Sequence, residues 1–255
     1  MEAGGMELSN VLWIGGPAGA GKTTAARHLA RRHGLRRYSS DTQTWVHRDR
    51  AVAAGVELPA RGPGAEYYDR RPMIIDDLRS LPAAPLIVAE GGPITPAMVQ
   101  PESQAVWLIP SRDVQVARLR VRHRGDVPWS YLQSLEPIME QLAGTSITTI
   151  FVDPLTVEET IAEVERVFAH RISEGPTALT SEENRSLLRD ANQALVNQYA
   201  SRSPRPLAPI EPDKVVRTFD CECARRTCAA LVDLTIGHAA AAVMSDPPAI
   251  LATGH

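Results

Sequence analysis

The stretch VLWIGGPAGAGKTT, Val11 to Thr24, constrains the fold of this chain more than any other. A short apolar run enters a glycine-rich turn, and an amphipathic segment over 22–33 follows. Gly16, Gly21, Lys22 and Thr23 satisfy the spacing G-x-x-x-x-G-K-[ST]. Glycines let the backbone curl so that its N–H groups converge on phosphate oxygens, and the start of the following helix adds partial positive charge. In this reading Gly16, Gly19, Ala20, Gly21, Lys22, Thr23 and Thr24 cradle a nucleotide. Lys22 reaches the β- and γ-phosphates and the Thr23 hydroxyl ligates Mg²⁺, so ATP and Mg²⁺ are the expected cofactors. Lys22 is also one of only two lysines in the chain, the other being Lys214. The competing reading is a strand-to-helix turn that binds nothing.

The same alternation continues to about Arg171. VLWIGG, LRRYSS, PLIVAEGG, QAVWLIPS and ITTIFVDP are short, β-rich and bounded by Gly, Pro, Ser or Asp, as buried parallel strands are. Helical patterns lie between them: 22–33, one or more within 42–81, 112–123, 129–143 and 156–171. Thr156 and Glu159 form a capping box for the last of these. The expected fold is α/β, a P-loop NTPase with a five-stranded parallel sheet flanked by helices, over 8–174. Beyond 175 the character changes to an appendage over 175–255: a helix over 180–199 with a second capping box (Thr180, Glu183), a proline-rich linker over 200–214, a cysteine-containing unit over 215–238 and a tail.

Composition narrows the partners. A net charge of -3 leaves no footprint for nucleic acid or an anionic membrane. No apolar run approaches the roughly 20 residues of a membrane span. MEAGGMELSN does not read as a secretory signal, and three clustered cysteines do not make a disulfide framework, so a reducing cytoplasm is expected.

Three acidic segments compete for a role beside the phosphates. PMIIDDL carries paired aspartates after an apolar run, but Ile74, Leu78 and Leu81 are spaced for a helix and Pro72 suits its start, so Asp76 and Asp77 read as solvated helix residues. Glu90 ends a strand at the sheet's carboxyl edge, where it could hold a metal-bound water, contact substrate or cap the next turn. Asp41 ends RRYSSD and is either the group that accepts a proton from an attacking hydroxyl or the N-cap of the helix that follows. After the fourth strand, SRDVQVARLRVRHRGDVPW places Arg118 and Arg122 on one helical face and Arg120 and Arg124 on another, with Gly125 and Pro128 as a hinge. Guanidinium groups so placed neutralise a transferring phosphate, and Arg118 and Arg122 are the candidates. His47, Arg48, Arg50 and Tyr67 lie in an insertion suited to an acceptor, but each taken singly reads as a surface residue, and none is chosen.

With these pieces, the first 170 residues resemble small P-loop kinases of the shikimate, gluconate, adenylate and chloramphenicol phosphotransferase type, on GGPAGAGKT, SSD, VAEGG and the arginine helix after VWLIPS. The resemblance implies a mobile acceptor region and an arginine lid, with Lys22 and Thr23 serving ATP and Mg²⁺, Asp41 the acceptor, and Arg118 or Arg122 the lid. Gln43 stands where shikimate kinases carry the second Asp of D-x-D, which argues against shikimate as acceptor. The whole chain also resembles actinobacterial ATP-binding proteins that join such a domain to a tail with a C-E-C motif, matched by RTFDCECARRTC. That second resemblance supplies no activity.

Cys221, Cys223 and Cys228 form C-x-C-x₄-C. As thiolates they could bind zinc with His238 as fourth ligand; otherwise Cys221 and Cys223 share one face of a strand and pack, or do redox chemistry. The sequence reads as an ATP- and Mg²⁺-dependent kinase for a small hydroxyl-bearing acceptor. The alternative is a nucleotide-dependent regulatory protein that binds a partner through its C-terminal unit.

Overall fold

The computed structural model describes residues 8–59, 64, 67–200, 210–245 and 250–255. Among them a five-stranded parallel sheet forms from β1 (Val11–Gly15), β2 (Arg36–Ser39), β3 (Ile87–Glu90), β4 (Ala105–Ile109) and β5 (Thr148–Phe151), in the order β2-β3-β1-β4-β5. The central strands are apolar on both faces because helices cover both. One face packs Leu12, Ile14, Val88, Leu108 and Ile150 against α1 (Lys22–His33) and α7 (Val157–Glu174), through Leu29, Val164 and Phe168. The other packs Val11, Trp13, Ile87, Ala89 and Trp107 under α3 (Arg71–Ser80) and α6 (Leu135–Leu142). The capping box expected at Thr156 and Glu159 is present in full.

Several elements differ from the expectation. In place of one helix over 129–143 there are two, α5 (Trp129–Leu132) and α6. The cause lies in α4 (Arg112–His123): Gln115 donates to the Tyr131 carbonyl and Arg112 to the Leu132 carbonyl. Side chains from α4 thus take acceptors that a continuous helix would use for its own next turn. The expected helix after residue 42 is α2 (Thr44–Ala53). Asp77 is not solvated as expected: it accepts from the Tyr38 hydroxyl at 2.7 Å, His47 Nε2 at 2.7 Å and Arg50 at 2.6 Å. Asp76 is exposed.

The C-terminal segment folds against the sheet rather than away from it. Helix α8 (Ser181–Ala200), opened by the expected reciprocal bonds between Thr180 and Glu183, packs along the β2 edge. Strands β6 (Val216–Asp220) and β7 (Leu231–Thr235) form an antiparallel hairpin, followed by α9 (Ile236–Met244). Most of the expected proline-rich linker, 201–209, lies outside the described residues, as do 1–7 and 246–249. No described helix is long and apolar enough to cross a membrane.

Candidate functional site

The loops after β1, β2 and β3 meet at the carboxyl edge of the sheet, and strand register decides what they bring. Glu90 pairs with Ile14 on one side and Ser39 on the other, so it ends the strand beside both. Alternation sends Ile87 and Ala89 to the α3 face, which leaves Val88 and Glu90 on the α1 face. Glu90 is consequently buried under the start of α1, where Oε2 accepts from the Thr23 hydroxyl at 2.9 Å. Its second oxygen, Oε1, is buried with no hydrogen-bond partner among the described residues. A buried carboxylate oxygen in that state calls for a cation or a bound water. The donor set is hard, one hydroxyl and one carboxylate, and fits Mg²⁺.

The glycine-rich loop after β1 has a geometry that suits an anion. Gly21, the N-cap of α1, has φ +98 and no side-chain cap, and the first turn holds no acidic residue. The first amides of α1 therefore keep their donors and their partial positive charge for a ligand. A Cβ on Gly21 would meet nothing within 4 Å, so φ alone requires glycine there. Gly16 differs: its Cβ would lie 2.3 Å from the Leu108 carbonyl oxygen. Ala20 is buried, while Thr23 and Thr24 are exposed. Lys22 folds back so that Nζ donates to the Pro17 carbonyl at 2.9 Å. Burial pulls the Lys22 amine below its ordinary range, and the neighbouring Arg122 adds to this, against the opposing charges of Asp41 and Glu90.

Asp41 lies two residues past β2, in a 3-10 turn over Ser40–Gln43. It does not cap α2, whose N-cap is Gln43 without a side-chain bond. Instead Oδ1 accepts from the Gly92 amide at 3.1 Å, so Asp41 holds the turn after β3. Asp41 thus braces the turn after β3, the structural alternative weighed for Glu90, while Glu90 faces the Thr23 hydroxyl. Asp41 keeps an exposed carboxylate beside Lys22, and Arg70 and Glu90 lie on the same edge.

Helix α4 covers the loop from the other side. Arg118 Nη1 donates to the Gly19 carbonyl at 3.3 Å, whereas Arg122 is exposed and acts on Lys22 through its charge. Gln115, fully buried and overlooked in the sequence reading, donates to both the Ala18 and Tyr131 carbonyls at 3.1 Å. It joins the loop after β1 to α5. Its position on the inner face of a helix, one turn before Leu119, was the signal available.

Of the acceptor-side residues, His47 and Arg48 are buried and Tyr67 is exposed. Arg70 Nε donates to His47 Nδ1 at 3.1 Å, which fixes the imidazole proton on Nε2, facing Asp77. Arg70 also donates to the Ser40 carbonyl, one residue from Asp41.

The expected cysteine arrangement is corrected in two respects. Cys221 and Cys223 lie beyond the end of β6, not on a strand face. His238 is exposed on α9, and the imidazole that joins the three thiols is His255, with all four ligand atoms within 4.8 Å of one another. Burial pushes the Cys223 thiol up, but hydrogen bonds from the Arg225 backbone, Cys228, Cys221 and His255 bring it down to about 7.

No protein-family model matches the chain. No curated protein sequence matches it either. Among solved structures it is similar to a gluconokinase from Sinorhizobium meliloti 1021, at 16% identity and a TM-score of 0.46, over 66% of this chain and 95% of that one. It is similar to a Deinococcus radiodurans tunicamycin resistance protein at 20% identity and a TM-score of 0.44, over 61% and 93%. A sugar kinase from Janibacter sp. HTCC2649 aligns at 19% identity with a TM-score of 0.39, over 64% and 96%.

Proposed function

We propose that this protein transfers the γ-phosphoryl group of ATP to a small hydroxyl-bearing acceptor, with 8–174 as the catalytic unit and 175–255 as an appendage. The observation that carries the reading is the pair at the end of β3: Glu90 accepting from Thr23 with its other oxygen buried and unpartnered, beside exposed Asp41. A generic anion-binding turn has no use for two strand-end carboxylates, whereas phosphoryl transfer to an alcohol uses both, one toward the metal and one toward the proton. Mg²⁺, which Thr23 and Glu90 would hold, would supply neutralisation of the phosphate charge.

The remaining roles fall to the chain itself. Loop amides and Lys22 bind the phosphates, Lys22 leaving the Pro17 carbonyl to do so. Asp41 accepts the acceptor's proton while its other oxygen stays anchored to Gly92. Arg118 and Arg122 stabilise charge on the transferring group. The test is ADP release against panels of polyols, sugars, sugar acids and nucleosides, with Lys22→Ala as control. Asp41→Asn should lower transfer by about 10²-fold or more with ATP affinity retained. No acceptor-stimulated ADP release above the Lys22→Ala control would remove the proposal.

A second reading, nucleotide-dependent partner binding, is favoured by one observation: Arg27 and Arg31 of α1, the helix that begins at Lys22, donate to the Thr218 and Cys221 carbonyls of the C-terminal unit. Loop occupancy thus has a direct route to that unit. Recovery of the same partner with ATP, ADP or no nucleotide would count against it.

A further inference from the structure

We infer that Cys221, Cys223, Cys228 and His255 form a closed structural zinc site that fastens the C-terminal unit behind the nucleotide-binding helix. His255 Nδ1 lies 3.3 Å from Cys221 Sγ and 3.6 Å from Cys228 Sγ, and the four ligand atoms fall within 4.8 Å of one another. A tetrahedral ion with Zn–S near 2.3 Å and Zn–N near 2.0 Å needs its ligand atoms about 3.5 to 3.8 Å apart. Shifts of about an ångström or less bring the cluster to that geometry. Three sulfurs and one imidazole are a soft donor set that selects zinc over magnesium or calcium. Four protein ligands leave no open position, so the site is structural rather than catalytic.

The surroundings are those of a built site. The Ala252 amide donates to Cys221 Sγ at 3.3 Å, the kind of outer hydrogen bond that orients a thiolate ligand. The Cys228 amide closes a turn onto the Arg225 carbonyl at 3.0 Å, and Ala224 takes the left-handed conformation with φ 59, so the connection doubles back and returns Cys228 to Cys221. Buried Arg31 places a cation against the Cys221 carbonyl, where the cluster carries a net negative charge with zinc bound.

The middle residue of C-E-C completes the arrangement. Glu222 is fully buried and its Oε1 accepts from Asn192 Nδ2 of α8 at 2.8 Å, while its carbonyl accepts from Arg185 at 3.2 Å. Two cysteines therefore join the imidazole while the residue between them binds α8. His255 reaches the thiols because the 250–255 segment lies across the turn, with the Glu222 amide donating to the Ile250 carbonyl at 2.7 Å. A two-stranded hairpin with one short helix buries little by itself, and a metal closing this loop supplies what its core does not.

The test starts from the unaltered full-length chain, expressed in zinc-supplemented medium and purified without chelator. It should carry about one zinc per chain, released as its thiols are titrated with a mercurial. Cobalt exchanged into the site should show thiolate-to-metal charge transfer and the intense visible bands of a tetrahedral ion. His255→Ala should surrender its metal to a chelator that the parent chain and His238→Ala both withstand. Removing zinc from the parent chain should speed amide exchange in 216–235 and 250–255 by more than about tenfold and leave the parallel sheet unchanged. These metal and spectral readouts need no variant to fold and no acceptor, so they stand or fall separately from phosphoryl transfer. Substoichiometric zinc, a Cys221–Cys228 disulfide in freshly purified protein, or metal lost from His238→Ala and kept by His255→Ala would each overturn the inference.

Discussion

Glu90 owes its place to parity. One residue earlier in β3 it would face α3; where it stands, the pleat turns it under Thr23. Its unpartnered oxygen predicts a metal-specific effect. In Glu90→Gln, nucleotide affinity without metal should stay near the parent value, while the gain from added Mg²⁺ falls by about tenfold or more, as isothermal titration with and without the ion would read. Equal gains in both proteins would separate Glu90 from the metal. Gly91 next door is constrained by space as well as φ: at +140°, its Cβ would lie 2.0 Å from Ser40 Oγ. Gly91→Ala should cost about 2 kcal/mol in chemical denaturation and shift the Ser40–Asp41 turn.

At the level of elements, α3 and α4 do more than cover the sheet. Asp77 gathers the Tyr38 hydroxyl, His47 and Arg50 from two other elements. Burial alone would raise its pKa, but hydrogen bonds from His47 and Tyr38, with the charge of Arg50, hold it below the ordinary carboxylate range. Asp77→Ala removes the shared acceptor of three donors and should lower stability by about 2 kcal/mol in a thermal melt, with α2 and α3 exchanging amides faster than α7. An unchanged melt would mean solvent replaces those bonds without loss. Helix α4 carries the same lesson in reverse. Its arginines were legible as a stripe, but the residue that grips both the glycine-rich loop and α5 is Gln115, which no charge pattern marks.

Across the whole molecule, the seam between α1, β2 and the C-terminal unit is electrostatic. Asp220, nearly fully buried, meets Arg37 at 2.8 Å and Arg27 at 3.6 Å. Burial pushes its carboxyl up, yet the charges of Arg37, Arg27 and Arg31 outweigh that and hold it below its unfolded value. A depressed folded pKa gives stability that is fully present above the unfolded value of about 4 and is lost as pH falls through the folded one. Acid should therefore release the C-terminal unit first, and Asp220→Asn should flatten the pH dependence below about pH 4, read by far-ultraviolet circular dichroism against pH. At neutral pH that substitution leaves two half-buried guanidinium groups short of their counter-ion and should cost about 2 kcal/mol. An acid transition that is identical in both proteins would show that the seam does not depend on this charge.

What the sequence determined by itself is what local periodicity and short spacing encode. Alternating strands and helices, the two capping boxes and the glycine-rich turn after β1 all follow from backbone preferences over fewer than about 20 residues, so the turn from Gly16 to Gly21 and the 22–33 helix were readable directly. Tertiary structure decided whatever depends on which distant side chain arrives. It gave Thr23 to Glu90 and Gly92 to Asp41, broke the 129–143 helix through Arg112 and Gln115, and brought His255 rather than His238 to the cysteines. The spacing between Cys228 and His255 carries no period, because the chain between them runs through a strand, a helix and a return segment whose path only packing fixes. A partner found across such a path is set by three-dimensional proximity and the demand of buried polar groups for satisfaction, which a linear pattern does not record.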